Sequence, residues 1–252
     1  IIVSLALAAG GKSGQPEVDS LRYALLSDSN PEPVLDIQLQ RGEDRRFTLI
    51  SDRYQFIRAV GRGWPMDEPE KFYRVSDLSV ARFQNAGFLS DFALATEVML
   101  GSLSYLGPLR SHPERSYQWS GDTPTGVGQM GKLAIAAILA AESEGRQLNR
   151  GPQQRIHGFA AFITAWLKDL GVIHDFSVKP VAEGRSEYEV LIKTHPGAPD
   201  VKIPDVGFGV SQVLPALVQA FYCPPHSTVW MEQPEIHLHP RAQVELAGLL
   251  VD

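Results

Sequence analysis

Two neighbouring stretches near the C-terminal end of the chain carry residues that could do chemistry. In one of them the apolar run Val229, Trp230, Met231 is followed by Glu232 and then by Gln-Pro-Glu-Ile-His-Leu-His-Pro at residues 233–240. A short apolar run of this kind predicts a buried strand of a parallel sheet, and open α/β folds place ligands at the carboxyl ends of such strands. Glu232 is therefore a candidate metal-binding acid. The structural alternative is a buried strand that ends in a solvated turn.

The other stretch, residues 205–215, reads Asp-Val-Gly-Phe-Gly-Val-Ser-Gln-Val-Leu-Pro. Gly207 and Gly209 come just before an apolar helical pattern. Glycines let backbone N–H groups approach an anion, and a helix N-terminus adds further donors and the positive end of the helix dipole. Pro215 is compatible with that helix if it falls in the first turn. Taken alone, the stretch is more simply explained as a loop that opens a core helix; its place just before the Glu232 strand favours anion binding.

The elements that would position these residues change character along the chain. Residues 1–60 alternate apolar and polar residues between turn sequences, which predicts antiparallel strands with one wet face. Residues 61–175 contain a poorly patterned connector, helical patterns at 90–103, 133–142 and 156–170, and a loop-like stretch at 105–131 rich in Gly, Pro and Arg. Residues 176–252 predict a hairpin, a helix at 210–221, a strand at 228–231 and a helix from 241. We therefore expect three parts: a β-rich lobe, a helical and loop insertion, and a C-terminal α/β part.

Composition narrows the class of protein. The 252 residues are 44% hydrophobic and 21% charged, which is ordinary for a globular chain. The net charge of -6 disfavours a broadly basic nucleic-acid surface. One cysteine, Cys223, excludes an intramolecular disulfide and fits a reducing compartment. No apolar run approaches the roughly 20 residues of a membrane span, so we expect a cytoplasmic protein with no membrane partner.

The two stretches together resemble the signature and the Walker B/D-loop pair of ABC-type ATPases. Residues 207–212 and 232–240 carry this likeness, which is strongest to the bacterial RecF-like and OLD-like "predicted ATPase" group. The stretch from Tyr-Leu-Gly-Pro-Leu-Arg at 105–110 to Gly131 is similar to that group as well. The likeness covers residues 105–252 well and the β-rich start loosely. It implies an α/β P-loop NTPase fold: an ABC-ATPase head-like sheet with a β-rich N-terminal lobe and a helical insertion.

The resemblance implies that ATP with Mg²⁺ binds between two copies of the protein, which would form a homodimer through the nucleotide sites. The residues that would line or support the signature loop, where the γ-phosphate bound by the opposing copy is contacted, are Gly207, Gly209, Ser211 and Gln212. DNA or an effector nuclease is the partner that the resembled group implies.

The same resemblance implies roles for the residues of the stretch 232–240. Glu232 would stand where most relatives have the Mg²⁺-associated Asp, and Gln233 falls where many have the catalytic Glu. An amide can position a water molecule but cannot accept its proton, so hydrolysis would be slow or would depend on Glu235 or another group. His237 and His239 would lie with Glu235 in the D-loop region at the dimer seam.

A phosphate loop is harder to find. It requires Gly-x-x-x-x-Gly-Lys-Ser/Thr between a strand and a helix. Residues 9–13, Ala-Gly-Gly-Lys-Ser, come close, but Ala6 occupies the first glycine position and Pro16 follows too soon for the helix. We favour a hairpin turn here. Because the chain starts without Met and stops at Asp252 inside a helical pattern, we expect an internal fragment whose phosphate loop precedes residue 1 and whose switch histidine follows residue 252.

Two other function classes stay open. Gln233 favours a non-hydrolysing, nucleotide-gated interaction module. A metal-dependent hydrolase is the other, because alternating side chains on an extended segment project to one side and could bind a transition metal; its ligands would be Glu232, Glu235, His237 and His239.

A basic, aromatic segment lies upstream of both stretches. It holds Arg110, Arg115, Tyr117 and Trp119. Arginines with aromatic neighbours can contact phosphate or nucleic acid. A surface loop held on the core by its aromatic residues is an equally good interpretation.

Overall fold

The structure is a computed structural model that describes residues 1–9, 14–27, 29–61, 63–151 and 153–251. The chain divides into two compact units, Ile1–Gly101 and Ser102–Asp252, which we call the N-terminal and C-terminal units. The near-match to a phosphate loop at residues 9–13 falls, apart from Ala9, outside the described residues. The division into parts at residues 60 and 175 stays a prediction.

The N-terminal unit is built on a four-stranded antiparallel meander, which confirms the strands predicted from alternation. The strands follow the chain order: β1 Ile2–Ala9, β2 Pro16–Ser27, β3 Asn30–Arg41 and β4 Phe47–Ile50. In the β2–β3 ladder Leu21 pairs with Leu39 and Tyr23 with Ile37. These four side chains are buried, because alternate residues of a strand point to the same face. They form the core of this unit.

Two helices complete the N-terminal unit: α1 Asp77–Val80 and α2 Phe88–Gly101. Leu89 and Phe92 of α2 belong to the same hydrophobic cluster as the strands. The hydroxyl of Ser76 accepts the Ser79 N–H and so caps α1.

A paired carboxylate secures the segment around α1. The Asp67 side chain accepts hydrogen bonds from Ser76 and Ser79 and an ion pair from Arg82, at 2.9–3.1 Å to one oxygen. Burial disfavours the charged form of Asp67, but these donors outweigh it and the pKa of the carboxyl is lowered. Each polar group of this cluster therefore has a partner.

The C-terminal unit alternates short strands with helices. Its elements are β5 Leu103–Leu106, β6 Tyr117–Gln118, α3 Ala134–Ser143, β7 Gln147–Leu148, β8 His157–Gly158, α4 Phe159–Asp169, β9 Asp175–Pro180, β10 Glu187–Lys193, β11 Val201–Lys202, α5 Phe208–Tyr222, β12 Thr228–Met231 and α6 Pro240–Val251. Strands β6, β9, β10 and β11 form one antiparallel sheet, β7 pairs with β8, and β12 pairs with β5 in parallel. The predicted hairpin and helices are confirmed.

Three predictions about these elements are wrong in detail. The helical pattern from residue 156 begins as a helix only at Phe159, because residues 157–158 pair with β7. The loop-like stretch at 105–131 starts inside β5. Strand β12 is only half covered: it has one strand neighbour among the described residues, and the Trp230 side chain is 59% exposed.

Helix α5 is the centre of the C-terminal core. Val213, Leu217 and Val218 are fully buried in a cluster shared with α3, α4 and α6. Pro215 lies inside the helix, beyond the first turn expected from the sequence. It is packed so closely on the loop before α3 that a Cβ added to Gly131 would lie 2.5 Å from the Pro215 Cβ. Pro215 is therefore part of the packing between α5 and this loop.

Among the helices of the described residues, none is long and apolar enough to cross a membrane.

Candidate functional site

Glu232 lies immediately after β12, at the carboxyl end of the parallel pair. Its backbone N–H donates to the Leu106 carbonyl at 2.9 Å, so pairing with β5 continues to the acid. Its carboxylate accepts a hydrogen bond from the Tyr105 hydroxyl, 2.9 Å from Oε1. That hydrogen bond, followed by burial, raises the pKa of Tyr105. The carboxylate is therefore held in one orientation at the sheet edge predicted for it.

Arg110 supports the same residue from the main-chain side. Its Nη2 donates to the Glu232 carbonyl at 3.1 Å. The side chain is buried, with 7% of its surface exposed, and its Nε and Nη1 atoms have no hydrogen-bond partner among the described residues. Burial lowers the pKa of this guanidinium, and the charges of Tyr105 and Glu232 oppose that shift. An unsatisfied buried donor costs about 1–3 kcal/mol, and more when charged.

The segment after Glu232 is a compact turn, residues 233–239, with two left-handed residues. Gln233 has φ of 47° and His237 has φ of 63°. Non-glycine residues pay roughly 1–2 kcal/mol for this conformation. The Gln233 carbonyl accepts from the Ile236 N–H and the Glu235 carbonyl from the Leu238 N–H, each at 3.1 Å. The turn is thus fixed by its own backbone.

The side chains of this turn divide by burial. Leu238 is buried in the core of the C-terminal unit, whereas the polar residues Gln233, Glu235, His237 and His239 are exposed. His239 stands just before α6; its carbonyl accepts from the Gln243 N–H, and its Nδ1 accepts from the Arg241 N–H at 3.4 Å. Opening a helix is therefore a sufficient structural role for His239.

The glycine-rich stretch forms the start of α5. Gly207 is the N-cap residue and is exposed. A Cβ at Gly209 would lie 3.4 Å from the His237 carbonyl oxygen, so the start of α5 and the turn after Glu232 are in contact. The Ser211 and Gln212 side chains are 6% and 9% exposed and belong to the packed part of the helix. The structure therefore brings the two candidate stretches together and leaves Gly207 as the open end.

A cavity of about 340 Å³ lies beside the start of α5. His112, Asp205, Gly207 and Ser211 are among its lining residues. Arg115 makes a two-point ion pair with Asp205, at 2.8 and 3.3 Å, which ties residues 107–131 to the segment that precedes the helix. Gly207, the N-cap residue of the fifteen-residue helix α5, thus lines this cavity, and a helix N-terminus is a favourable site for an anion.

Residues 107–131 are also fastened to the middle of α5. The Gln219 Oε1 accepts the Val127 N–H at 2.8 Å in the interior, and a Cβ at Gly126 would lie 3.2 Å from the same oxygen. Of the arginines and aromatic residues noticed in this stretch, Arg110 reaches Glu232, and Tyr117 and Trp119 lie on or beside β6. Sequence analysis did not select Tyr105, because its role depends on a strand pairing 127 residues along the chain.

The ligand set of a metal-dependent hydrolase is not assembled. No group of three or more His, Cys, Asp or Glu side chains that could hold a metal ion occurs within the described part of the chain, which includes residues 232, 235, 237 and 239. Glu232 is left with the Tyr105 hydroxyl and its own position at the strand end.

These features define a mixed α/β protein in which a strand-end acid and the N-terminus of a buried helix lie side by side. The sequence matches, over residues 8–252, the family described as "AAA domain, putative AbiEii toxin, Type IV TA system". The chain belongs to this family. Membership implies the α/β fold of P-loop nucleoside triphosphatases and suggests a nucleotide-binding ATPase. Comparison with curated proteins and with solved structures gave no match.

Proposed function

We propose that this chain is part of an ABC-class ATPase of the RecF-like and OLD-like kind that binds ATP with Mg²⁺ and hydrolyses it. The observation that carries the proposal is the Glu232 carboxylate, oriented by Tyr105 at the carboxyl end of a parallel strand pair. Membership of the AAA domain family supports the nucleotide as ligand. The contact between Gly209 and the turn after Glu232 holds the two stretches side by side, as the proposed dimer seam requires.

The residues fit the proposed ligands. Glu232 has one carboxylate oxygen engaged by Tyr105, and its other oxygen suits Mg²⁺, a hard cation that accepts one or two protein carboxylates and retains water. Bound Mg²⁺ supplies charge stabilisation to a reacting phosphoryl group. Gly207 and the first N–H groups of α5 would face a phosphate, since they open onto the cavity beside the helix.

A homodimer across the nucleotide is part of the proposal. Gly207 and the polar side chains of the turn after Glu232 are exposed, so a second copy can reach them. Each copy would then offer its α5 N-terminus to the ATP of the other, with His237 near the seam. DNA or an effector nuclease is the proposed downstream partner, on the resemblance alone.

Glu232→Gln is the experiment for this proposal. Removing the charge of the carboxylate should lower kcat for ATP by at least about 100-fold, since positioned acids and metal ligands contribute effects of that size. Phosphate release by the full-length protein measures it, with Glu245→Gln on exposed α6 surface as the matched control. Equal rates in the two variants, or absence of ATP binding in the wild type, would contradict the proposal.

A nucleotide-gated module that hydrolyses slowly or not at all is the second candidate. Gln233 favours it: the side chain is exposed, follows Glu232 directly, and is an amide rather than a carboxylate. Gln233→Glu discriminates the two. A large gain in the rate of phosphate release in Gln233→Glu supports the nucleotide-gated module. An unchanged rate points to a proton acceptor elsewhere, such as Glu235.

A further inference from the structure

We propose that Tyr105 and Arg110 are positioning residues that hold Glu232 at two points. The Tyr105 hydroxyl orients the carboxylate, and the Arg110 guanidinium fixes the main-chain carbonyl of the same residue. This inference rests on the proposed function of Glu232. Both residues come from one segment, β5 and the four residues after it, so that strand delivers the pair to the acid together.

The burial of Arg110 argues against a role in packing alone. A buried guanidinium with two donor atoms that lack acceptors among the described residues is unfavourable, and apolar replacements of buried charged groups are often neutral or stabilising in proteins. Arg146, in the same unit, is an arginine with a purely structural set of contacts. It donates to the carbonyls of Tyr222 and Cys223 and lies over the rings of Phe159 and Tyr222. Arg110 is instead committed to a single acceptor, the Glu232 carbonyl.

That acceptor is the atom from which the left-handed turn begins. The Glu232 carbonyl belongs to the peptide group shared with Gln233, whose φ is 47°. A hydrogen bond on this carbonyl fixes the orientation of the peptide plane and therefore the direction in which the turn leaves the strand. Arg110 thus sets the position of Gln233, and Tyr105 sets the position of the carboxylate.

Three variants of the full-length protein test the two contacts: Tyr105→Phe, Arg110→Gln and Arg110→Lys. Outer-shell partners of metal-binding residues change activity or metal affinity by about 10–100-fold. We expect Arg110→Gln to lower kcat by roughly 10–100-fold with KM for ATP changed less than about 3-fold, and Arg110→Lys to recover part of the loss. Mg²⁺ is expected to tighten ATP binding in the wild type. In Tyr105→Phe this tightening should be about 10-fold smaller.

A readout without nucleotide completes the test. Amide hydrogen exchange at Ile236 and Leu238, whose N–H groups are bonded within the turn, should be at least about 10-fold faster in Arg110→Gln, because the start of the turn is released. Arg146→Gln is the matched control: it should lower overall stability without changing kcat, the Mg²⁺ effect or exchange in this turn. If Arg110→Gln does not fold, Tyr105→Phe, which removes one hydroxyl, carries the test.

The outcomes separate the two proposals. If Glu232→Gln behaves as the wild type, the proposed function is wrong whatever the Tyr105 and Arg110 variants do. If Glu232→Gln removes activity while the folded Tyr105 and Arg110 variants keep wild-type kcat, Mg²⁺ dependence and hydrogen exchange, the positioning role is wrong and the proposed function stands.

Discussion

The two units of this protein partner a charged side chain in different ways: Asp67 of the N-terminal unit is half-exposed and Arg110 of the C-terminal unit is buried. In the N-terminal unit Asp67 is surrounded by donors from Ser76, Ser79 and Arg82. In the C-terminal unit the more deeply buried Arg110 uses one nitrogen on the Glu232 carbonyl, and two of its nitrogens have no hydrogen-bond partner in the part of the chain that the structure describes. The incomplete pairing of Arg110 supports the positioning role proposed for it, since unsatisfied buried polar groups are few in native proteins.

Left-handed backbone conformation occurs in both units and includes two residues of the candidate site. Gln233 and His237 are left-handed although neither is glycine, and both lie in the turn that follows Glu232. Strained residues persist when the surroundings determine them, and they concentrate at functional sites. The N-terminal unit also has left-handed residues, such as Arg45, Lys71 and Phe72. What distinguishes the C-terminal turn is that strain, an unsatisfied cation and a strand-end carboxylate occur together.

The largest effect that we predict concerns the packing that supports the site. Gly131→Ala should destabilise the C-terminal unit by about 3 kcal/mol or more, because its Cβ would lie 2.5 Å from the Pro215 Cβ and its φ is 71°. Thermal or urea unfolding followed by hydrogen exchange in α5 measures it. Gly145→Ala is the control, with φ of 67° and open space around the added Cβ. It should cost about 1–2 kcal/mol, so equal losses would show that the contact with Pro215 is unimportant.

An intermediate effect is expected from Tyr23 in the core of the N-terminal unit. Burial raises the pKa of its phenol to about 12, and its hydroxyl donates to the Tyr73 carbonyl. The folded state therefore favours the neutral phenol. The contribution to stability is complete below the unfolded pKa of about 10 and is lost as the pH rises from about 10 to 12.

Urea unfolding at several pH values tests this dependence. The free energy of unfolding of the N-terminal unit should fall over that alkaline range in the wild type, since the unfolded chain releases the proton first. Tyr23→Phe should remove this part of the slope. It should also lower the free energy of unfolding by about 1 kcal/mol at neutral pH, because the substitution removes the hydrogen bond to the Tyr73 carbonyl. The same alkaline slope in both proteins would mean that Tyr23 does not titrate as described.

The smallest effect concerns the satisfied carboxylate. Asp67→Asn should destabilise the N-terminal unit by about 0.5–1 kcal/mol, because the acceptor of Ser76, Ser79 and Arg82 loses its charge at a half-exposed site. Its lowered pKa means that this contribution is present above the unfolded pKa and is lost as the pH falls through the folded value. Asp77→Asn, an exposed partner of Arg74, is the control and should change stability by less than about 0.5 kcal/mol. If Asp67→Asn leaves the free energy of unfolding unchanged, the donors around Asp67 do not stabilise the N-terminal unit and the contrast with Arg110 is lost.

Much of the fold follows from local patterns that the sequence displays directly. The alternation of Leu21, Tyr23 and Leu25 predicted strand β2, and three- and four-residue spacing predicted α4 and α5. Glu232 was selected from a run of four residues, and the structure places it at the end of a parallel strand. Its role in catalysis, and those of Gln233, Glu235 and the signature residues, stay predictions.

The remainder needed contacts that no local pattern encodes. β5 has only four residues and is a strand because it pairs with β12, far along the chain. The same pairing brings the Tyr105 hydroxyl to the Glu232 carboxylate, so Tyr105 could not be recognised from its own neighbours. Arg110 was noticed as one of several cations, and only its burial and its single acceptor separate it from the exposed, ion-paired Arg115.

The sequence by itself determined the longer strands and helices and the place where an acid follows a strand, because periodicity and turn chemistry act over a few residues. The tertiary structure alone decided which groups reach Glu232, since a hydrogen bond between residues 127 positions apart depends on strand register. The tertiary structure also decided that the Arg110 guanidinium is buried with only one of its nitrogens bonded to a described residue. Burial is a property of the packed chain, so the most informative atoms of this site, Nε and Nη1 of Arg110, have no signal in the sequence.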